Sequence, residues 1–313
     1  DDGDAGDTYN YSPPELDVAV DSPTAVAVHI EEYGPLRAAM RVVRTFEWPE
    51  RLEAGRERVG QRSVDVVTRL ELRAGERLVR VTTSFDNPCR DHRLRAWFPL
   101  PTPATSTRAE CAFALVERGM EAEGGPTEKG LPTFPSRRFV SAGGLTLVHE
   151  GLLEYELVDD GKALALTLMR SVGVLSGTRL IYRPHPAGPP LPVTGAQMKG
   201  PQLVRYALAV GDEDPYALAD DAFLPLAAVT GSGYGPRPAT GSALRVTGAQ
   251  VSALRRAHSG RLELRVFNPT VEMATVDLDG RSGWLVDLRD RPLNRFDGAF
   301  ELKPWGIATV HLD

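Results

Sequence analysis

Six histidines, two cysteines and a dense set of carboxylates are the groups through which this chain could do chemistry, and their spacing assembles no familiar machinery. His29, His92, His149, His185, His258 and His311 form no HExxH pattern and no pair with compact ligand spacing. Asp91-His92 and His149-Glu150 are adjacent, but neighbours on a strand point to opposite faces. Turn hydrogen bonding is the expected role of Asp91 and His92. Cys89 and Cys111 have no CxxC partner and are expected to be free thiols. Gly231-Ser232-Gly233-Tyr234-Gly235 lacks the Lys-Ser/Thr and the following helix of a phosphate loop, so it reads as a linker, and no GxSxG elbow is present. The opening Asp2-Gly3-Asp4-Ala5-Gly6-Asp7 could offer oxygens to a hard cation, but it lacks the downstream bidentate Glu of a calcium loop. A solvated, charged loop is expected there. A carboxylate pair for glycoside hydrolysis converges in space rather than in sequence, so spacing alone assigns none.

The elements that would position such groups are strands. Val64, Val66, Thr68, Leu70 and Leu72 alternate with polar residues, as do Val79, Val81, Thr83 and Phe85, and then Leu94, Ala96 and Phe98. A period of two marks half-buried strands, and the three runs read as an antiparallel meander with one wet face, Asp86–His92 being the turn between the last two. Strand patterns also cover 24–30 and 36–46. Leu145–Leu157 and Leu164–Arg170 read as a hairpin across Asp159-Asp160-Gly161-Lys162. Residues 118–138 and 183–201, rich in Gly and Pro, read as long loops. One short helix is expected, with Asp214 as N-cap, Pro215 in its first turn and Tyr216–Phe223 following. A boundary is expected in 230–242, where Gly231, Gly233, Gly235, Pro236 and Pro238 cluster. Beyond it come Arg261–Phe267, a turn at Asn268-Pro269-Thr270, Glu272–Leu278, Trp284–Leu288 and Ile307–Leu312. The expectation is two all-β units, 1–232 and a small β-sandwich over 240–313, which implies sandwiches rather than an α/β enzyme fold.

Composition narrows the function. At 313 residues the chain can bury a large core, and 42% hydrophobic with 25% charged residues is ordinary for a globular protein. A net charge of -6 argues against a sequence-independent nucleic-acid binder. No apolar run approaches the length of a membrane span, so no membrane partner is expected. The first methionine is Met40, which leads us to expect a processed chain or a fragment of a longer polypeptide.

Four stretches together resemble the C-terminal β-sandwich region of glycoside hydrolase family 38, the α-mannosidases, in its microbial branch. They are Gly6–Pro14 (GDTYNYSPP); Phe85-Asp86-Asn87 with Asp91-His92-Arg93-Leu94-Arg95 and Phe98-Pro99; Leu166–Gly173 (LTLMRSVG); and Leu264–Thr270 (LRVFNPT). They run in the family's order and span nearly the whole chain. The resemblance implies a galactose-mutarotase-like supersandwich and a small terminal sandwich, packed behind an N-terminal catalytic domain of the same polypeptide. In the family that domain supplies an Asp nucleophile, a carboxylic acid and a zinc held by His and Asp, which binds hydroxyls of the mannose ring. Hydrolysis of terminal α-linked mannose then proceeds with retention. None of those catalytic or zinc-binding residues has a counterpart here, so the chain alone is expected to be inactive and to need no cofactor, with zinc implied for the parent enzyme. Two residues do match family positions near the sugar: Tyr9, whose ring offers a flat apolar face and a hydroxyl, and Arg170, whose guanidinium is a forked donor. The bland roles are a Tyr anchoring the chain to the sheet and an Arg on a wet strand face. A bacterial, cytoplasmic setting is the expectation, with secretion left open.

Two other functions compete. A free-standing carbohydrate-binding module would use an exposed aromatic among Trp48, Trp97, Trp284 and Trp305, with Trp97 favoured because it alternates away from the core face. A mutarotase-like enzyme would need His149 and Glu150 in one cleft.

Overall fold

The computed structural model describes residues 1–120, 122–151, 153–231, 235 and 238–313. Of the linker residues named above, Ser232, Gly233, Tyr234 and Pro236 lie outside the described residues. The chain divides into two compact units, Asp1–Ala109 with Glu117–Leu224, and Glu110–Val116 with Pro225–Asp313. About half the residues are in strands, and helix is scarce, as the alternating patterns require. Among the described residues, no helix is long and apolar enough to cross a membrane.

The first unit is built on two antiparallel sheets. Among the described residues the larger includes, in order, Ala25–Tyr33, Arg37–Trp48, Arg62–Arg73, Val79–Asn87, Gly200–Val210, Leu145–His149 and Phe139–Ala142. The smaller runs Asp2–Gly3, His92–Pro99, Ala163–Ser171, Leu153–Val158 and Thr133–Ser136. Their inner faces share one core: Trp48, Val66, Phe85 and Leu147 from the larger sheet meet Leu94, Tyr155, Leu164 and Leu166 from the smaller. Burying each such side chain contributes roughly 1.5–3 kcal/mol, which is why these positions alternate so regularly.

Two sequence expectations fail on partner rather than on period. The three runs at 63–98 are not one meander. Arg62–Arg73 and Val79–Asn87 pair with each other, whereas His92–Pro99 pairs with Ala163–Ser171 in the other sheet. The segment between them therefore carries the chain across the core instead of closing a hairpin. Asp91 takes a left-handed φ of 54° there, and its carboxylate accepts from Gln197 Nε2 at 2.7 Å. His92 is buried, with Nε2 3.0 Å from Asn87 Oδ1, so its role is structural, in the crossing segment rather than in a hairpin turn. Similarly, Leu145–Leu157 is not one strand: Leu145–His149 lies in the larger sheet and Leu153–Val158 in the smaller, and only the latter pairs with Ala163–Ser171. At the turn of that hairpin Asp159, Asp160 and Gly161 all have positive φ. Alternation also breaks at the end of Arg62–Arg73, where Leu72 is exposed and Glu71 is buried between Arg69 and Arg73. The helix is where its cap signals place it: it spans Pro215–Phe223, and Asp214 Oδ1 accepts from the Tyr216 amide at 3.0 Å.

The second unit holds a sheet in the order Gln250–Arg256, Leu262–Phe267, Ile307–Leu312, Ala274–Val286 and Pro292–Leu302 among the described residues. Leu264, Val266, Val276, Leu278, Val310 and Leu312 form the heart of its apolar core. The runs at 272–278 and 284–288, read above as separate strands, belong largely to one strand, Ala274–Val286, with a register shift between Asp277 and Ser282. Cys89 and Cys111 are both free thiols.

Candidate functional site

The acidic opening is not a solvated loop. Asp2, Asp4 and Asp7 are all buried, because each meets arginine from the smaller sheet or the segment that follows it. Asp2 Oδ2 lies 2.8 Å from Arg93 and 2.6 Å from Arg95. Asp4 Oδ2 accepts from Arg170 Nε at 2.7 Å, and Asp7 Oδ2 pairs with Arg183. Charges out of water persist only when paired, and each of these carboxylates is paired with arginine. Burial works to raise the Asp2 carboxyl, but the Arg95 and Arg93 guanidinium groups outweigh it and hold it below its ordinary value. Asp7 is likewise held low despite burial, by the amides of Gly177, Asn10 and Tyr9 together with Arg183. At Asp4 burial wins over Arg170 and the amides of Gly6 and Ser12, and its carboxyl is raised.

This network shapes the backbone that carries Tyr9. Asp7 Oδ1 accepts from the Tyr9 amide at 2.9 Å and the Asn10 amide at 2.8 Å, a tight Asx turn. Gly6 is required beneath it, since a β-carbon there would stand 2.1 Å from the Asn10 carbonyl oxygen. Tyr11 is buried under the Arg93 guanidinium, 3.6 Å from its ring centroid, and is the residue that anchors the segment to the sheet. Tyr9 projects outward, 55% exposed.

Tyr9 and Arg170 line one cleft of about 490 Å³ with Asn10, Phe134, Glu154 and Thr167. A register shift between Thr167 and Met169 sets the stretch that carries Arg170. Arg170 is not on a wet face: Nε is engaged by Asp4, and a terminal nitrogen donates to the Asp7 carbonyl at 3.0 Å. It braces the Tyr9 turn from the cleft wall. Glu154, which belongs to no sequence motif, accepts from Thr167 Oγ1 at 3.0 Å. Its signal was the alternation of Glu154 and Glu156 with Leu153, Tyr155 and Leu157. An aromatic face, a carboxylate and a guanidinium around a cleft of this size suit a polyhydroxylated ligand.

The other expectations separate. His149 is buried, whereas Glu150 is exposed and bridges to Arg205 at 3.0 Å, so they do not share a cleft. Trp48 is fully buried against Phe85, while Trp97 is 52% exposed beside the Arg95 guanidinium, 5.2 Å from its ring centroid. Among the described residues, one group of three side chains has metal-ligating atoms drawn together, Glu263, Asp290 and His311 in the second unit. These residues lie far apart in the chain, so sequence spacing could not reveal them.

No protein-family model matches the sequence. The chain is 29% identical over 302 residues to a protein of Halalkalibacterium halodurans named "Putative mannosylglycerate hydrolase", covering 86% of this chain and 32% of that protein. A protein in glycosyl hydrolase family 38 from Enterococcus faecalis superposes with a TM-score of 0.79 at 22% identity, covering 100% of this chain and 39% of that one. An α-mannosidase from Enterococcus faecalis V583 superposes with a TM-score of 0.78 at 23% identity, covering 100% and 38%. The likeness to these structures is one of fold, and that fold is the one the resemblance to family 38 implies. The chain spans less than two fifths of each relative's length.

Proposed function

We propose that this chain is the non-catalytic β-sandwich portion of a retaining, zinc-dependent α-mannosidase, scaffolding a catalytic domain of the same polypeptide and lending Tyr9 to its sugar pocket. The observation that carries the reading is the presentation of Tyr9: a buried set of ion pairs holds an exposed aromatic at the lip of a cleft. That is far more rigid support than a surface tyrosine needs. Whole-chain likeness in fold to glycosidases more than twice as long supports it. Arg170 acts in this reading as a positioning residue for the Tyr9 turn. Zinc would bind mannose hydroxyls in the catalytic domain, and this chain's part is to bind, orient and exclude water. The substrate class is a terminal α-mannoside, and the name of the Halalkalibacterium relative makes mannosylglycerate one member to try. The test is Tyr9→Ala in the longer polypeptide. KM for an aryl α-mannoside should rise about 10-fold, the scale of one lost aromatic contact of 1–1.5 kcal/mol. Unchanged kinetics would remove Tyr9 from the pocket.

A second reading, a carbohydrate-binding module, is favoured by one observation. A cavity of about 860 Å³ opens beside Trp97 and Arg95, and the buried Trp48 Nε1 and Arg95 Nε have no hydrogen-bond partner among the described residues. Glycan binding by the chain alone, lost in Trp97→Ala, would support this reading over the first.

A further inference from the structure

The terminal sandwich has two faces with different chemistry. Leu264, Val310 and Leu312 point into its apolar core. On the opposite face one row of residues crosses all the strands of the sheet: Arg255 pairs with Glu263, Glu263 with His311, His311 with Trp284, and Trp284 with Arg295. Cross-strand partners share a face, so these side chains stand side by side. Although this is not the core face, Glu263 and His311 are both buried. Asp290 approaches them from the turn between Ala274–Val286 and Pro292–Leu302. That turn is tied by Asp287, which accepts from the Arg289 amide at 2.8 Å and the Arg291 amide at 3.0 Å.

The distances are informative. His311 Nε2 lies 3.4 Å from Glu263 Oε2 and 3.6 Å from Asp290 Oδ1. Good N–H···O bonds are about 2.9 Å, so these contacts are long for direct hydrogen bonds. Around a tetrahedral zinc with bonds of about 2.1 Å, neighbouring donor atoms stand roughly 3.4 Å apart. All three donor atoms fall within 4.8 Å of one another, so a small adjustment of the exposed Asp290 would close the set. Arg255 Nε donates to Glu263 Oε1 at 2.6 Å, which fixes the carboxylate and leaves Oε2 directed at His311. A fixed outer partner of this kind is what orients metal ligands.

We infer that Glu263, Asp290 and His311 form a zinc site in the terminal sandwich, with three protein ligands and a fourth position open on the Asp290 side. One imidazole with two carboxylates suits zinc, whereas calcium and magnesium favour oxygen ligands throughout. Asp290 joins the turn to the sheet, so the metal would staple strands and turn together.

The experiment is titration of the 313-residue chain with zinc chloride by calorimetry, alongside Asp290→Asn and His311→Asn. The expected result is one zinc per chain in the parent, weakened in each variant by more than the roughly 10–100-fold that loss of an outer partner costs. Cobalt(II) should give the intense visible absorption of a four-coordinate site, lost in the same variants. Because His311 is buried, Asp290→Asn, at an exposed position, is the arm that decides if His311→Asn fails to fold. No saturable binding, or zinc binding unchanged in Asp290→Asn, would overturn the site.

Discussion

Arg170 Nε stands 2.7 Å from Asp4 Oδ2, and the Asp4 side chain is wholly shielded from solvent. Together with the bond to the Asp7 carbonyl, it joins the central strand of the smaller sheet to the segment that presents Tyr9. Breaking a buried pair from one side strands the other charge, at a typical cost of about 3–5 kcal/mol. Arg170→Met should therefore lower unfolding stability in urea by about 3 kcal/mol. Asp4→Asn in the same chain should restore part of the loss, because the uncompensated charge is then gone. Equal and additive losses would mean that the two residues act independently.

Tyr9 and Tyr11 sit two residues apart and should behave oppositely. Tyr9→Ala is expected to change stability by no more than about 0.5 kcal/mol, as surface substitutions do. Tyr11→Ala removes a buried ring stacked under Arg93 and should cost about 3 kcal/mol. Chemical unfolding of both variants checks this, and a large loss for Tyr9→Ala would make it a structural residue instead.

Acid sensitivity should trace in part to His149. Burial pushes its imidazole down from 6.5 to about 4, against the opposing pull of the Gly151 carbonyl 2.9 Å from Nδ1. The unfolded chain takes up a proton below about 6.5 while the fold refuses one until about 4. Stability from this group is thus complete above pH 6.5 and drains away between pH 6.5 and pH 4, by roughly 3 kcal/mol at most. His92, driven from 6.5 to about 3 by burial and by Arg58, adds to the loss across that whole range and on down to about pH 3. The discriminating quantity is the difference between the parent and His149→Gln, which should flatten the slope across this window. Parallel pH profiles would contradict the assignment.

Gly161 should tolerate no side chain. Its φ is 80°, and an added β-carbon would stand 2.0 Å from the Ala104 carbonyl oxygen. Gly161→Ala is expected to cost at least about 1–3 kcal/mol through strain. Gly195→Ala, where nothing lies within 4 Å, should stay within about 0.5 kcal/mol. Thermal unfolding of the two variants makes the comparison.

How far the residues speak for themselves can be seen in particular strands. Val81, Thr83 and Phe85 announce a buried face by period, and the structure has that face. Period does not name a partner, however, so His92–Pro99 looked like the next hairpin arm when it belongs to the opposite sheet. Nor does it foresee a charge that is buried because its counter-ion arrives from far along the chain, as with Arg93 and Asp2 or Arg170 and Asp4. Tyr9 and Arg170 were legible only through family resemblance. Glu154 beside them shows in the sequence only as a polar position of an alternating run, and the Glu263–Asp290–His311 group is not legible at all, since tertiary pairing alone brings its members together.

The most direct test of the account is hydrolysis of an aryl α-mannoside, measured with zinc present, by purified residues 1–313 and by a longer polypeptide that contains them. Turnover is expected from the longer protein and none above background from the chain alone. Zinc-dependent turnover by the isolated chain would contradict it.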